Sequence, residues 1–268
     1  MLEKITPLIL TYNEAPNIER TLQKLTWANR IVVVDSYSTD GTLEVLYSTS
    51  QVEIFQRQFE SFASQCNYGL SEITSEWVLS IDADYLLTDD LIDEIQALPV
   101  EPDVNSYSIR FKYCIFGKPL RGTLLPPRRA LYRREKAIYK DDGHAHRVYV
   151  EGKSVMLSSY IHHDDCKSLN RWLWTQDRYM MGEVKKLLES PAIELAWSDR
   201  IRRTKILAPF LILIYCLILK GAIFDGWRGW YYTLQRVLAE ILLAIHLIEI
   251  EKFEKADAKP MLLDKAKV

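Results

Sequence analysis

Residues 30–42 read RIVVVDSYSTDGT, and this stretch decides the class of fold. Three valines in succession leave no polar face, so Arg30–Asp35 reads as a strand buried on both sides, as in a helix-covered parallel sheet. The turn formers of Asp35–Thr42 close it. Working outward, Thr6–Thr11, Val52–Gln56 and Trp77–Ile81 (WVLSI) read as further buried strands. Between them lie helical patterns. Ile18, Leu22 and Leu25 recur at helical spacing, with Pro16 suited to the first turn, and two more spans run from Phe62 to Ile73 and Asp89 to Leu98. Alternation of the two kinds over the first 115 residues is the β-α pattern of an α/β protein.

Gly41 is the first glycine of the chain, and that position excludes two function classes. A dinucleotide fold or a P-loop places glycines directly after the first strand, whereas here that turn is Thr11-Tyr12-Asn13-Glu14. Composition excludes others. The 268 residues are 48% hydrophobic and 26% charged with a net charge of −2, against a disordered chain and against a dedicated nucleic-acid binder. Cys66, Cys114, Cys166 and Cys216 form no C-x-x-C pair and read as free thiols of a reducing compartment. The start, MLEKITPLILTYNE, lacks the long apolar region and small-residue end of a signal peptide, so export is not expected.

After Ser106 the pattern changes. SYSIRFKYCI alternates, GKPLRGTLLPPRR is a loop, and short alternating runs at Ala130–Arg133, Arg147–Val150 and Val155–Ile161 predict an antiparallel or mixed extension of the sheet. A long helix is expected from about Ser168 to Ser190. Its Arg171-Trp172-Leu173-Trp174 stretch reads chiefly as core packing, with a sugar platform as the sharper alternative.

Asp82-Ala83-Asp84 stands at the carboxyl end of the WVLSI strand, where open α/β sheets bind ligands. Two carboxylates so spaced can approach one hard divalent cation, Mg²⁺ or Mn²⁺, shared with substrate phosphates. A helix N-cap is the plain alternative for such aspartates. Asp35, ending the second strand, favours the ligand reading.

Together, Thr11-Tyr12-Asn13-Glu14, VVVDSYSTDGT (32–42), Asn67-Tyr68-Gly69 and Asp82-Ala83-Asp84 resemble a family 2 glycosyltransferase of the GT-A fold, a Rossmann-like nucleotide-diphospho-sugar transferase with a mixed sheet. The resemblance covers about residues 4–190, and within the family it is similar to the lipopolysaccharide-core glucosyltransferase-like branch. It implies that Thr11–Glu14 and Asp35 hold the nucleoside of a sugar nucleotide, UDP-linked, with Asn67 and Ala83 part of the same donor site. Asp82 then contacts the ribose or diphosphate side, and Asp84 ligates the metal. Relatives carry an Arg near Asn67 for the phosphates. Here Gln65-Cys66 precedes Asn67, which leaves neutralisation to the metal and to Arg128 or Arg129.

An inverting transfer needs a carboxylate to take the acceptor hydroxyl proton. The resemblance points to the stretch Lys140–Arg147, with Asp142 the candidate base and Asp141 its substitute; the residue after His146 is Arg147, so no Glu follows it. In Ile161-His162-His163-Asp164-Asp165, His163 is the candidate third metal ligand, against the alternative of helix capping. A zinc site from His144, His146, His162 and His163 is conceivable by ligand type alone.

The near-zero mean hydropathy of −0.11 averages two materials. Ile206–Leu219 (ILAPFLILIYCLIL) is uncharged for 14 residues, short of the roughly 20 that a span needs, and contains Pro209. Arg200, Arg202, Arg203 and Lys205 precede it, and Trp227, Trp230, Tyr231 and Tyr232 follow, like an aromatic belt. Leu234, Val237, Leu238, Ile241, Leu242, Ile245 and Ile248 then mark a second helix. Two such helices suit a hairpin lying in a membrane interface, with a soluble helical subdomain or a homo-oligomer face as the alternative.

The expectation is therefore a catalytic domain over 1–199 and a membrane-associated helical segment over 200–268. The activity expected is metal-dependent inverting transfer to a lipid-linked or lipopolysaccharide-type acceptor, by a peripheral or monotopic protein on the cytoplasmic face of a bacterial inner membrane. The rivals are a polyprenyl-phosphate glycosyltransferase, whose acceptor needs no strong base, and an inactive scaffold that keeps the fold. A nucleotidyltransferase would need a glycine-rich basic loop after strand one, which is absent.

Overall fold

A computed structural model describes residues 1–99, 101–122, 124–142, 145–191 and 193–254, the side chains of 141–142, 145–146 and 253–254 excepted. The chain divides into two compact units, Met1–Cys166 and Lys167–Val268.

In the first unit, β1 (Ile5–Thr11), α1 (Ile18–Gln23), β2 (Ile31–Asp35), α2 (Thr42–Tyr47), β3 (Val52–Gln56), α3 (Phe62–Ser71) and β4 (Trp77–Asp82) alternate as the periodicity predicts, with the short α2 an addition to the helices read from sequence. Then come β5 (Tyr85–Leu87), α4 (Asp89–Gln96), β6 (Val104–Ile115), β7 (Lys118–Pro119), β8 (Arg128–Arg133), β9 (Ala137–Asp142), β10 (Ala145–Val150) and β11 (Lys153–His163). Among the described residues the main sheet runs β3-β2-β1-β4-β8-β6-β11-β5, with β7 on β6. Its first four strands are parallel, β8 is antiparallel to both β4 and β6, and β11 lies parallel to β6. The sheet is mixed, as expected.

Both faces of the parallel part are covered, which is why its strands carry so little polar sequence. Successive residues point to opposite sides. Ile31 and Val33 join one core with Ile18, Leu22 and Leu91, while Val32 and Val34 join the other with Ala63, Cys66 and Leu70. The second core also takes Tyr139 and Val150 from the β9–β10 hairpin.

In the second unit, α5 (Leu169–Glu189), α6 (Trp197–Arg203), α7 (Leu207–Ile214) and α8 (Trp227–Glu254) are its α-helices. Val184, Leu187, Leu195, Leu243 and Leu247 form its core. The uncharged run is not one helix. After α7 the chain makes a π-helical turn over Tyr215–Leu219 and a 3-10 turn over Ala222–Asp225 before α8 begins. Among the described residues no helix is long and apolar enough to cross a membrane. The division at 166/167 differs from the boundary drawn at 199/200, because α5 shares a core with α8.

Candidate active site

Parallel pairing sets the site. The register aligns Thr11 with Asp35 and Leu10 with Asp82, so the Thr11 end of β1 and the acidic ends of β2 and β4 emerge side by side. Ligands in open α/β sheets sit at such carboxyl ends.

Asp35 is fully buried. Its carboxylate accepts from Thr11 Oγ1 at 2.9 Å, from the Ser38 amide at 2.9 Å, and from Ser38 Oγ and Gln56 Nε2. A nucleobase reaching Asp35 would have to displace one of these donors. The two loops beyond are laced together. The Asn13 amide donates to Ser38 Oγ and the Glu14 amide to Thr42 Oγ1, both at 2.8 Å, while the Thr39 amide donates to Asn13 Oδ1 at 2.8 Å. Asp40 accepts from the Ala15 amide and from Thr42. Ser38, Asp40 and Thr42 thus build the Thr11–Glu14 turn, a role sequence reading missed; their clustering in one turn-rich loop was the available signal. Asn13 and Tyr37 have left-handed backbones, with φ of 56° and 62°. Tyr12 and Tyr37 stand 45% and 54% exposed, flat faces beside the buried acid.

The other half of the site forms on β4, β5 and β11. Asp84 Oδ2 lies 3.1 Å from His163 Nε2. β5, absent from the sequence reading, explains how. This three-residue strand follows the acid pair and aligns Tyr85 with His163 on β11, bringing residues 79 apart into one pair. Tyr85 and Tyr113 flank the imidazole, with ring centroids at 5.1 and 4.7 Å. Burial works to lower the His163 pKa, but the charge and hydrogen bond of Asp84, with Asp82 and Asp165 beyond, outweigh it, and the net direction is upward. Its Nδ1 is buried with no hydrogen-bond partner. Asp82 is half-exposed, 3.9 Å from Arg128 Nη1, and the same guanidinium donates to Tyr85 Oη at 3.3 Å. Burial first, then the charge of Asp82, pushes the Tyr85 phenol well above its ordinary value. Ala83 is buried, its carbonyl accepting from Thr21 Oγ1 at 2.6 Å.

Asn67 bonds to the β9 backbone. Its Nδ2 donates to the Tyr139 carbonyl at 3.0 Å and its Oδ1 accepts from the Tyr139 amide at 2.9 Å, clasping α3 to β9. The side chains of the base candidates Asp141 and Asp142 lie outside the described residues, as does His144; the backbone places both aspartates at the end of β9, opposite His146 and Ala145. Among the described residues, no three of His, Cys, Asp and Glu stand close enough together to enclose one metal ion. An oxygen and an imidazole nitrogen at Asp84–His163 nevertheless fit Mn²⁺ better than Mg²⁺, whose ligands are oxygens, with substrate phosphates and water completing the shell.

Carboxylates at the ends of parallel strands, laced loops and an acid–imidazole pair gather at the carboxyl edge of the sheet of an α/β protein. The family model "Glycosyl transferase family 2" matches residues 8–161, more than half the chain, and the protein belongs to that family. Among curated relatives it is 31% identical over 108 residues to an uncharacterized glycosyltransferase of Rickettsia bellii, covering 40% of this chain and 36% of that one. It is 38% identical over 88 residues to the SPbeta prophage-derived glycosyltransferase SunS of Bacillus subtilis, covering 31% of this chain and 20% of SunS. The match thus spans only about a third or less of those relatives' length. Among solved structures, S. aureus TarS 1–349 in complex with UDP-GlcNAc aligns at a TM-score of 0.49 and 14% identity, over 94% of this chain and 91% of that one.

Proposed function

We propose that the protein transfers a sugar from a UDP-linked donor to a glycan acceptor with inversion at the anomeric carbon. The observation that carries this reading is the meeting of Thr11, Asp35, Asp82 and the Asp84–His163 pair at one edge of the sheet in a family 2 chain. Tyr12 and Tyr37 face the nucleoside, and Asp82 and Arg128 flank the ribose and diphosphate. Asp84 and His163 are the residues that would hold a divalent cation. When bound, the cation neutralises the diphosphate leaving group. The acceptor hydroxyl oxygen attacks the anomeric carbon opposite the diphosphate; its bond to carbon forms as the carbon–oxygen bond to UDP breaks. Asp142, or Asp141 in its place, takes the hydroxyl proton.

Incubating the protein with sugar nucleotides, Mn²⁺ and bacterial membranes tests this, with labelled sugar in the lipid or glycan fraction as the expected product. Calorimetry that finds no metal-dependent UDP binding would sink it.

The acceptor we infer is lipid-linked or of lipopolysaccharide type, reached on the cytoplasmic face of a bacterial inner membrane. The support is an apolar surface on the second unit. Leu207, Phe210, Leu211, Ile214, Ile218 and Leu219 follow helical spacing yet face solvent, Phe210 at 65% exposure, and Phe224, Trp227 and Trp230 extend the patch. Ala208, Cys216 and Leu217 are buried on the opposite side. An outward apolar stripe too short to span fits a helix lying in the interface. The basic cluster contributes less than its sequence promised. Arg202 is held by Glu240 at 2.7 Å, Lys205 pairs with Glu251, Arg200 donates to the Leu195 and Ile193 carbonyls and Lys220 lies over the Tyr215 ring, so the exposed Arg203 is the cation of this group best placed to meet anionic lipid. In vesicle flotation, Phe210→Asp/Ile214→Asp in the full chain should release the protein into the soluble fraction. A wild-type protein that never floats, or that instead pairs with itself in light scattering, removes the membrane reading.

A further inference from the structure

The chain after His163 is irregular, yet it is gripped from several directions. The Asp164 carboxylate is 3% exposed; it accepts from Arg20 Nη1 at 2.7 Å and from the Gly117 amide at 3.3 Å. The Asp164 carbonyl accepts from Arg20 Nη2 at 2.7 Å, and its amide donates to the Asp84 carbonyl at 3.1 Å. Asp164 therefore touches the backbone of one member of the Asp84–His163 pair and is bonded covalently to the other.

Asn17 completes the grip. It is fully buried at the start of α1, where an asparagine side chain ordinarily caps the helix, but here it makes no cap hydrogen bond. Its Oδ1 instead accepts from the Cys166 amide at 2.9 Å and from Arg20 Nη2 at 3.1 Å. Its Nδ2 donates to Asp165 Oδ1 at 3.1 Å and to Glu14 Oε2 at 3.0 Å. A buried asparagine diverted from its own helix, and a planar guanidinium that matches a carboxylate, a carbonyl and an amide oxygen together, make a rigid connection. One end is Glu14, in the turn beside Asp35. The other is Asp164, beside Asp84 and His163.

We propose that Asn17 and Arg20 are positioning residues that fix the spacing between the nucleoside-facing turn and the Asp84–His163 pair. Asn17 acts through Glu14, Asp165 and Cys166, and Arg20 through Asp164 and Asn17. The consequence for donor binding rests on the sugar-transfer reading, whereas the consequence for His163 does not. Supporting groups of this kind typically alter metal affinity or activity about 10- to 100-fold when removed.

The test uses Arg20→Lys, which keeps the charge but not the fork, together with Asn17→Ala and the combination Arg20→Lys/His163→Ala in the full chain. Histidine-labelled NMR of the ligand-free protein reads the geometry, with His163→Ala assigning the resonance. Calorimetry with UDP, with and without Mn²⁺, reads the consequence, and melting curves report folding. In Arg20→Lys and Asn17→Ala the His163 imidazole resonances should shift while the fold still melts cooperatively. UDP affinity in Mn²⁺ should fall about 10- to 100-fold with metal-free affinity unchanged. In the His163→Ala background, Arg20→Lys should have a much smaller further effect. Unmoved His163 resonances overturn the proposal, as does equal weakening of UDP binding with and without Mn²⁺. Should wild type bind no UDP at all, the transferase reading falls, and the His163 resonances still decide the positioning role.

Discussion

Asn67→Ala separates two roles for a motif residue. The resemblance assigns Asn67 to the donor site, whereas its amide makes two hydrogen bonds to the backbone of Tyr139, at 3.0 and 2.9 Å. Tyr139 is buried, its hydroxyl donating to Ser80 Oγ at 2.8 Å, and Asp141 and Asp142 follow two and three residues later on the same strand. Each partly buried hydrogen bond contributes about 1 kcal/mol net, so losing both costs about 2 kcal/mol. At about 2–4 °C per kcal/mol for a unit of this size, the melting temperature should drop by roughly 4–8 °C. Loosening β9 moves the base candidates, and a misplacement near 1 Å costs on the order of 100-fold in turnover, so kcat should fall at least about tenfold. UDP affinity should not change. Asn67→Asp sharpens the test. It keeps the acceptor for the Tyr139 amide but sets a carboxylate oxygen against the Tyr139 carbonyl, so it should destabilise at least as much as Ala. Calorimetric melting, UDP titration and single-turnover kinetics on the three proteins check this. A variant that melts with wild type but binds UDP weakly refutes the clasp and returns Asn67 to the nucleotide.

Gly69→Ala should destabilise by about 1–3 kcal/mol in denaturant melts, because its Cβ would stand 2.4 Å from Leu8 Cδ1 and 3.1 Å from Val34 Cγ2 in a closed core. An unchanged midpoint would mean that α3 can shift away from the sheet freely. Glu94 takes the Ser158 and Ser159 amides at 2.8 Å each, at the irregularity in β11; burial acts to raise its pKa, but these hydrogen bonds prevail and hold it low. A depressed carboxylate contributes stability above its unfolded pKa of about 4.3 and loses it as pH falls through the folded value. Glu94→Gln should therefore cost about 1–2 kcal/mol at pH 7, with the gap from wild type closing below about pH 4; a gap independent of pH argues against the charge. Asp84→Ala should abolish transfer and metal-dependent UDP binding together. Asp142→Asn should abolish transfer alone, and intact turnover in that variant would favour a phosphate acceptor that needs no base.

The parallel half of the fold was legible because burial on both faces leaves a mark in local sequence. VVV at 32–34 and WVLSI at 77–81 admit no polar face, and strand ends at Asp35 and Asp82 fall where those runs stop. β5 left no such mark, since three residues after an acid pair read as the loop they interrupt. β9 was lost for a related reason. In AIYKDD Tyr139 is buried and Ile138 is exposed, so the alternation is inverted against residue type at one position and too short to stand out. The clasp from Asn67 to Tyr139 spans 72 residues and the bond from Arg20 to Asp164 spans 144; pairings so distant have no period, and one sequence alone contains no sign of them. The uncharged run at 206–219 was read correctly as too short to span. The turns that break it depend on α8 instead. At Gly229 an added Cβ would collide with the Ala222 carbonyl at 1.7 Å, so the 3-10 turn lies directly against the α8 backbone.

Aspartate residues crowd the site, and residue type alone cannot say which act and which build. Their partners can. Asp35 is enclosed by Thr11, Ser38 and Gln56, and Asp164 is enclosed by Arg20 and the Gly117 amide. Each holds a loop with a charge satisfied within the protein. Asp82 is half-exposed, 3.9 Å from Arg128 and hydrogen-bonded to the Tyr85 phenol, and Asp84 is paired with the His163 imidazole. Of the four, Asp82 is the one whose charge faces outward, with Asp84 largely buried behind it. A diphosphate brought against them meets like charge, which is unfavourable in a partly desolvated site unless a cation stands between. Arg128 stands nearest to Asp82 and is itself shared with Tyr85. Single replacements should therefore divide by class. Loss of Asp164 should disorder a loop and lower stability, loss of Asp35 should lower both stability and donor binding, and loss of Asp82 should alter donor binding with the least effect on stability.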